Sequence, residues 1–306
     1  MDDAMRQCRV HKPIPMENTK PPNTMKLICV LPYCSSDHAS ATRLLEWIRE
    51  LDQRVDHHLL LVADNAVPLE TKKALDSLGR SVFSSAETIM PQCPAAVNGN
   101  YHPAAAQMFS KTMGHINKCH KWPFLWMEPD CVPLKSGWLD TLATAYEYNP
   151  HRFLGTIMEP KQDNLPKKMM FATAIYPPNC YEELKGFCDG KKAFDVAFSD
   201  YLVPMSDSSP LFQHVWGAPN DPPTFKAVKV ATDGKNVGTL SSIQPYAVLW
   251  HRCKDGSLID LLRIRSKGEE SPQETPPEPE PSLILNPPIK RGPGRPPKQP
   301  VESEII

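Results

Sequence analysis

The sequence predicts an α/β fold: a mostly parallel sheet with helices on both faces, in one domain followed by a disordered tail. Two observations carry this expectation. From Lys26 onward, apolar runs of strand length alternate with amphipathic stretches of helix length for about 120 residues, the pattern of strand–helix–strand units in a parallel sheet. Near Ser266 the composition changes to Pro-rich and charged, which cannot bury a core.

The elements follow in order. Residues 1–25 are polar and Pro-dotted and read as a flexible arm. KLICVLPYC is the first strand. In SSDHASATRLLEWIRELD, Leu44, Leu45, Ile48 and Leu51 share a helical face, and Ser35 or Ser36 is available as N-cap. HHLLLVADNA is the second strand, ending at Asp64. Pro68 then suits the first turn of a helix carrying Ala74, Leu75 and Leu78 and stopping at Gly79. SVFSSAET reads as a third, weaker strand. YHPAAAQMFSKTMGHINKC is a helix with Met108, Phe109, Thr112, Met113 and Ile116 on one face. FLWM is a strand, and GWLDTLATAYEY a helix. Beyond it FLGTIM, FATAIYPP and YAVLWHRC read as strands, AFDVAFSDYLVP as a short helix ended by Pro204, and LIDLLRIR as a closing helix. The globular part therefore spans 26–265 and the tail 266–306.

Composition limits the function classes. With 41% hydrophobic and 23% charged residues among 306, the chain is ordinary for a soluble globular protein. Its net charge of −1 makes any attraction to nucleic acid local rather than global. Nine cysteines without a C-x-x-C argue against a zinc ribbon or disulfide scaffold and for reduced thiols in a cytosol-like compartment. The N-terminal segment lacks the apolar stretch of a secretory signal, and no run approaches the ~20 apolar residues of a membrane span, so no membrane partner is expected.

WPFLWMEPDCVPL is the most informative stretch. A buried strand stops at Glu128 and Asp130, with Pro129 between them. In a parallel sheet, ligands bind beyond the carboxyl ends of the strands. Two carboxylates at such a turn can face one divalent ion, which would bridge the phosphates of a nucleotide diphosphate and stabilise it as a leaving group. On the tripeptide alone, a solvated turn explains the acids as well. Asp64, at the end of the second strand, and Asp37, after the first, extend the pattern to three successive strand ends. An Asp after the second strand can accept hydrogen bonds from a base or ribose; Asp37 serves equally as a helix cap. The first strand–helix turn, PYCSSDHAS, has no glycine, so a dinucleotide cradle is absent, and no P-loop occurs.

These pieces resemble a sugar-nucleotide-dependent glycosyltransferase of the GT-A fold, a Rossmann-like sheet, over roughly residues 26–265. LICVLPYC, LLLVADNA, ATAIYPPN and AVLWHRCKDGSL carry the likeness, and WMEPDCVPL stands where that family has D-x-D. The last segment is similar to viral, phage-type glycosyltransferases. Glu128 replaces the first Asp and proline fills the middle position, so Asp130 is the firmer metal ligand. The resemblance implies Mn²⁺ or Mg²⁺ and a nucleotide sugar, UDP-glucose first among donors. It also implies a third ligand at His251 and a diphosphate contact from Lys254, against core-histidine and surface-lysine alternatives. An inverting enzyme needs a base to take the acceptor's proton; Asp195 and Asp200 are candidates, with Asp195 preferred. Lys111 and His115 share a helix face that either touches phosphate or faces solvent.

In the tail, KRGPGRPPK (290–298) resembles an AT-hook. Gly294, Arg295 and Pro296 form its core, a slim extended chain that lays an arginine along an A·T minor groove. Lys290, Arg291 and Lys298 would meet phosphates. Together these features make DNA the expected partner and a hydroxyl on a modified base, such as a 5-hydroxymethylpyrimidine, the expected acceptor. The alternatives are a protein or small-molecule acceptor, and a non-enzymatic DNA-binding protein on a dead transferase fold. The expected location is cytoplasmic, a host's cytoplasm for a viral protein, with the nucleus as the other compartment.

Overall fold

The computed structural model describes residues 25–93, 101–150, 152–160, 165–214, 224–225 and 237–266. The chain runs β1 (Ile28–Tyr33), α1 (His38–Leu51), β2 (Val55–Ala63), α2 (Leu69–Val82), β3 (Phe83–Ile89), α3 (His102–Cys119) and β4 (Phe124–Trp126). β5 (Val132–Pro133), α4 (Trp138–Glu147), β6 (Phe153–Met158) and β7 (Met169–Tyr176) follow. Short elements come next: α5 (Cys180–Leu184), α6 (Phe194–Ala197), α7 (Ser199–Leu202), β8 (Ser206–Ser208) and β9 (Phe212–His214). The described chain ends with β10 (Thr224–Phe225), β11 (Val237–Gly238), β12 (Leu249–His251) and α8 (Ser257–Ser266).

A seven-stranded sheet has the order β3-β2-β1-β4-β7-β6-β8. β1 pairs in parallel with β2 on one side and β4 on the other. β7 runs antiparallel to both its neighbours, while β6 and β8 are parallel to each other. The sheet is therefore mostly parallel, as expected, with one reversed strand.

All six residues of β1 are buried because helices cover both faces. The pleat divides them. Cys29, Leu31 and Tyr33 enter one core with Leu44, Leu45 and Ile48 of α1 and Trp138 and Leu142 of α4. Ile28 and Val30 enter the other, with Phe109, Met113 and Ile116 of α3. Each such side chain contributes about 1.5–3 kcal/mol by burial, so the apolar stripes, more than intrinsic propensity, hold these helices in place.

The differences from the sequence-based expectations have local causes. The N-cap position of α1 is Asp37, in line with its capping reading, rather than Ser35 or Ser36, but its side chain accepts from the Cys34 amide and makes no cap hydrogen bond to the helix. The two serines are used up in the turn that closes with His38 N–H donating to the Cys34 carbonyl (3.0 Å). α2 does not stop at Gly79 but continues to Val82. There glycine is a packing device: a Cβ would lie 2.6 Å from Leu59 Cδ2. Ala74 is exposed, so it does not share the buried face of Leu75. The single helix expected over AFDVAFSDYLVP is two short ones, α6 and α7, and Pro204 lies within a following 3-10 turn rather than beyond it. Ser199 Oγ donates to the Asp195 carbonyl one turn back, a bond that competes with the backbone ladder and bends a helix.

Candidate active site

β5, β12 and β9 form a second, three-stranded sheet. β5 begins two residues after Asp130, and β12 pairs with it antiparallel, Trp250 opposite Val132. The contact continues past the strand, where the Cys253 amide donates to the Asp130 carbonyl (2.8 Å). This ladder brings residues more than a hundred positions apart to one point. Between the two contacts, Arg252 adopts φ 77°, a left-handed conformation rare for a side chain of this kind. Lys254 can thereby turn back toward Asp130.

On the other side, the Cys131 amide donates to the Glu128 carbonyl (3.0 Å). Glu128–Cys131 is thus a closed turn with Pro129 at its second position, where a fixed φ favours the turn. The paired acids at the strand end are held by this geometry. His251 Nε2 lies 2.8 Å from Glu128 Oε2 and 3.4 Å from Asp130 Oδ1. Lys254 Nζ lies 2.8 Å from Asp130 Oδ2. Glu128 and Asp130, two of the three residues expected to hold a metal, therefore each face the third, His251; the ligand atoms that all lie within 4.8 Å of one another are those of Asp130, Cys131 and His251, with Glu128 outside that group.

Their electrostatics are strongly perturbed. Asp130 is 7% exposed; burial alone would raise its pKa, but His251 and Lys254 outweigh burial and hold it well below the carboxylate range. Burial would lower His251, yet Asp130 and Glu128 raise it to about 10. Burial also opposes the charge on Lys254, and Asp130 again reverses the direction. An imidazolium and an ammonium thus compensate two carboxylates. One divalent ion could do the same work, and two carboxylates with one imidazole suit Mn²⁺ or Mg²⁺. Cys131 Sγ is close to Asp130 and His251 as well. Burial pushes its thiol far up, and it bonds Thr173 Oγ1 (3.5 Å), so it is a core thiol rather than a ligand for a hard ion.

A cleft of about 440 Å³ opens beside this cluster. Its walls come from the carboxyl ends of β1, β2 and β4 and the first turns of α1 and α3. Glu128, Asp130, Asp37, Asp64 and Lys254 all line it. Asp37 Oδ1 accepts from the Cys34 amide (2.6 Å), and burial raises its pKa, an effect opposed by that hydrogen bond. Asp64 Oδ1 accepts from the Ala66 amide (2.8 Å). Trp126, Met108 and Phe194 provide apolar surface, with Phe194 stacked on Phe109 at 4.3 Å.

The remaining candidates separate. Asp195 follows the cleft-lining Phe194 but does not itself line the cleft; it is half-buried, and burial, then Glu128, raise its carboxyl to about 6. Asp200 is exposed and does not line the cleft. Lys111 is exposed and donates to the Gln92 carbonyl, and His115 pairs with Glu87; neither lines the cleft. Lys290, Arg291, Gly294, Arg295, Pro296 and Lys298 lie outside the described residues. His214 was not legible in the sequence. It stands beside His251 in the β9–β12 pairing, with the two Nδ1 atoms 2.9 Å apart, and its ring stacks on Phe171 at 3.5 Å. A lone histidine in LFQHVW carries no periodic or motif signal, and only the pairing register identifies it.

No protein-family model and no curated protein sequence matches the chain. Solved structures do. Galactosyltransferase LgtC, in complex with donor and acceptor sugar analogues, superposes with a TM-score of 0.50 at 8% identity, over 79% of this chain and 96% of that one. The bifunctional glycosyltransferase WbbM aligns with a TM-score of 0.43 at 12% identity, over 76% of this chain and 46% of that one. With its mostly parallel sheet, helices on both faces and this likeness to LgtC, the chain has the GT-A glycosyltransferase fold.

Proposed function

We propose that this chain is a metal-dependent glycosyltransferase that moves a sugar from a nucleotide sugar to a hydroxyl on a modified base in DNA. UDP-glucose is the first donor to test and a 5-hydroxymethylpyrimidine the first acceptor. The observation that supports it most is that Glu128 and Asp130 each face His251 at the sheet edge beside the cleft. A bound Mn²⁺ or Mg²⁺ would be held by those three residues and would act as a Lewis acid on the departing diphosphate.

The chain's other groups have complementary tasks. Lys254, already within reach of Asp130, supplies a second positive charge to the diphosphate. Asp64 and Asp37, at the ends of β2 and β1, accept hydrogen bonds from the nucleoside. Trp126, Met108 and Phe194 exclude water from that side of the cleft. On an inverting route, Asp195 takes the acceptor's proton, and its raised pKa brings it toward the working range of a general base. The DNA acceptor rests on the tail motif at 290–298, which would hold the duplex near the cleft and raise its effective concentration.

Incubation with UDP-glucose, Mn²⁺ and hydroxymethylated DNA tests the reading, with sugar transfer expected in the folded protein. Absence of transfer from every common sugar nucleotide would refute the DNA reaction. One observation favours a second reading, binding without catalysis: Asp130 is already ion-paired with Lys254. Metal-dependent UDP binding that is lost in Asp130→Ala, together with donor hydrolysis, counts against that reading.

A further inference from the structure

A second group of metal-ligating side chains lies outside the cleft. Glu87 on β3 has one carboxylate oxygen, Oε1, facing three imidazoles. His120 Nε2 is 2.7 Å from it, His115 Nε2 2.9 Å and His58 Nε2 3.7 Å. His58 comes from β2, and His115 and His120 from the last turn of α3 and its cap. None lines the cleft.

We propose that His58, Glu87 and His120, with water in the fourth position, form a zinc site that fastens the C-terminal end of α3 to the sheet edge, while His115 bonds Glu87 from outside the ligand set. Hydrogen bonding within the cluster does not satisfy it. A carboxylate oxygen has two lone pairs, and His115 and His120 occupy them. His58 Nε2 is buried and has no hydrogen-bond partner. Its other nitrogen, Nδ1, is held by Ser85 Oγ at 2.9 Å, the outer contact that fixes the ring of a metal-bound histidine. In the tautomer that donates Nδ1–H to Ser85 Oγ, the Nε2 lone pair faces the cluster, 3.7 Å from Glu87 Oε1, and is open to a metal ion.

The donor chemistry fits zinc. Imidazoles with one carboxylate are a common Zn²⁺ ligand set, and no thiolate is needed. The ligand atoms of His58, Glu87 and His120 all lie within 4.8 Å of one another. A tetrahedral site with bonds near 2.0–2.1 Å holds its ligand atoms roughly 3.3 Å apart, so small side-chain rotations close the difference. The helix end is shaped for the task. The His120 and Lys121 amides both donate to the Ile116 carbonyl (3.0 Å each), and Lys121 adopts φ 58°. This left-handed turn directs the chain away from the helix just after His120. Glu87 is 35% exposed, which leaves an entry for the ion.

α3 links the two places. Ala104, Ala105 and Met108 line the cleft, and His115 lies roughly 15 Å beyond Ala105 and roughly 10 Å beyond Met108 along the helix at 1.5 Å per residue. Zinc here fixes one end of the helix whose other end forms a cleft wall.

The test uses tag-free full-length protein stripped of metal and then titrated with Zn²⁺ by calorimetry, alongside thermal melts. Asp130→Asn weakens the cleft as a competing site. The proposal predicts one equivalent of zinc bound by the D130N chain, and a midpoint raised by roughly 5–10 °C at a hundredfold excess over Kd. Adding His58→Gln and His120→Gln should abolish both effects. In the otherwise unchanged chain the same pair should remove one equivalent of bound zinc, a readout independent of how D130N folds. If the H58Q/H120Q chain takes up as much zinc as its parent, or if the unchanged chain binds none, the proposal is overturned.

Discussion

At the scale of single residues, the cleft cluster concentrates charge where water is scarce. Asp130 is 7% exposed and keeps its charge only because His251 and Lys254 face it. Asp130→Asn keeps the shape and removes the anionic ligand. Metal-dependent UDP binding should fall by at least the roughly 10–100-fold that losing an outer hydrogen-bond partner of a metal ligand costs, as read by calorimetry with and without Mn²⁺. The adjacent pair His57 and His58 shows how the pleat assigns roles. His57 Nδ1 accepts from the Leu27 amide (3.1 Å) and Nε2 faces Asp140 Oδ1 (3.1 Å), whereas His58 projects toward Ser85 and Glu87. Burial outweighs Asp140 and lowers the pKa of His57 below its ordinary 6.5. The unfolded chain therefore binds more protons than the folded one between the lowered value and 6.5, and stability falls as pH drops below about 6.5. Melts from pH 8 to pH 5 should show a falling midpoint, with a shallower fall in His57→Gln, whose amide oxygen can still accept from Leu27. An equal slope in the variant would remove His57 from the account.

At the scale of elements, legibility followed the kind of burial. β1 and the Leu59–Ala63 part of β2 are covered on both faces, so they read as continuous apolar runs, while α1 and α3 each carry a buried stripe that the sequence displays. β8 and β9 have three residues each and depend on partners far away in sequence, so local pattern says little about them, whereas β12, equally short, lies in the apolar run YAVLWHRC and was legible. The same distinction applies to the site. Glu128 and Asp130 were legible as a strand end on a proline turn, and His251 through the family resemblance, but His214 emerged only from the register of β9 against β12. Gly79 shows a residue whose local signal misleads, since a glycine in a helical pattern reads as a stop. Gly79→Ala gains roughly 0.8–1 kcal/mol in helix propensity. Overpacking against Leu59 costs about 1–3 kcal/mol. Steric cost should win, with a midpoint lower by roughly 2–4 °C; a higher midpoint would show that Leu59 can yield.

At the scale of the whole molecule, the proposed catalytic residues and the proposed DNA-contacting motif at 290–298 lie in separate stretches of sequence. Truncation after Ser266 should leave the thermal midpoint and metal-dependent UDP binding unchanged. Transfer to DNA at low DNA concentration should fall and lose much of its salt dependence, since each phosphate contact contributes a slope of roughly −0.9 in log K against log salt. Unaltered DNA transfer in the truncated chain would remove the tail from the mechanism. The central strand has a wider consequence. β1 has β2 on one side and β4 on the other, so the chain segments leaving their carboxyl ends part company and open the crevice. Main-chain pairing sets the width of that gap. Side chains along its rim project from the ends of the paired strands, so replacing them changes what the crevice presents more than how wide it is.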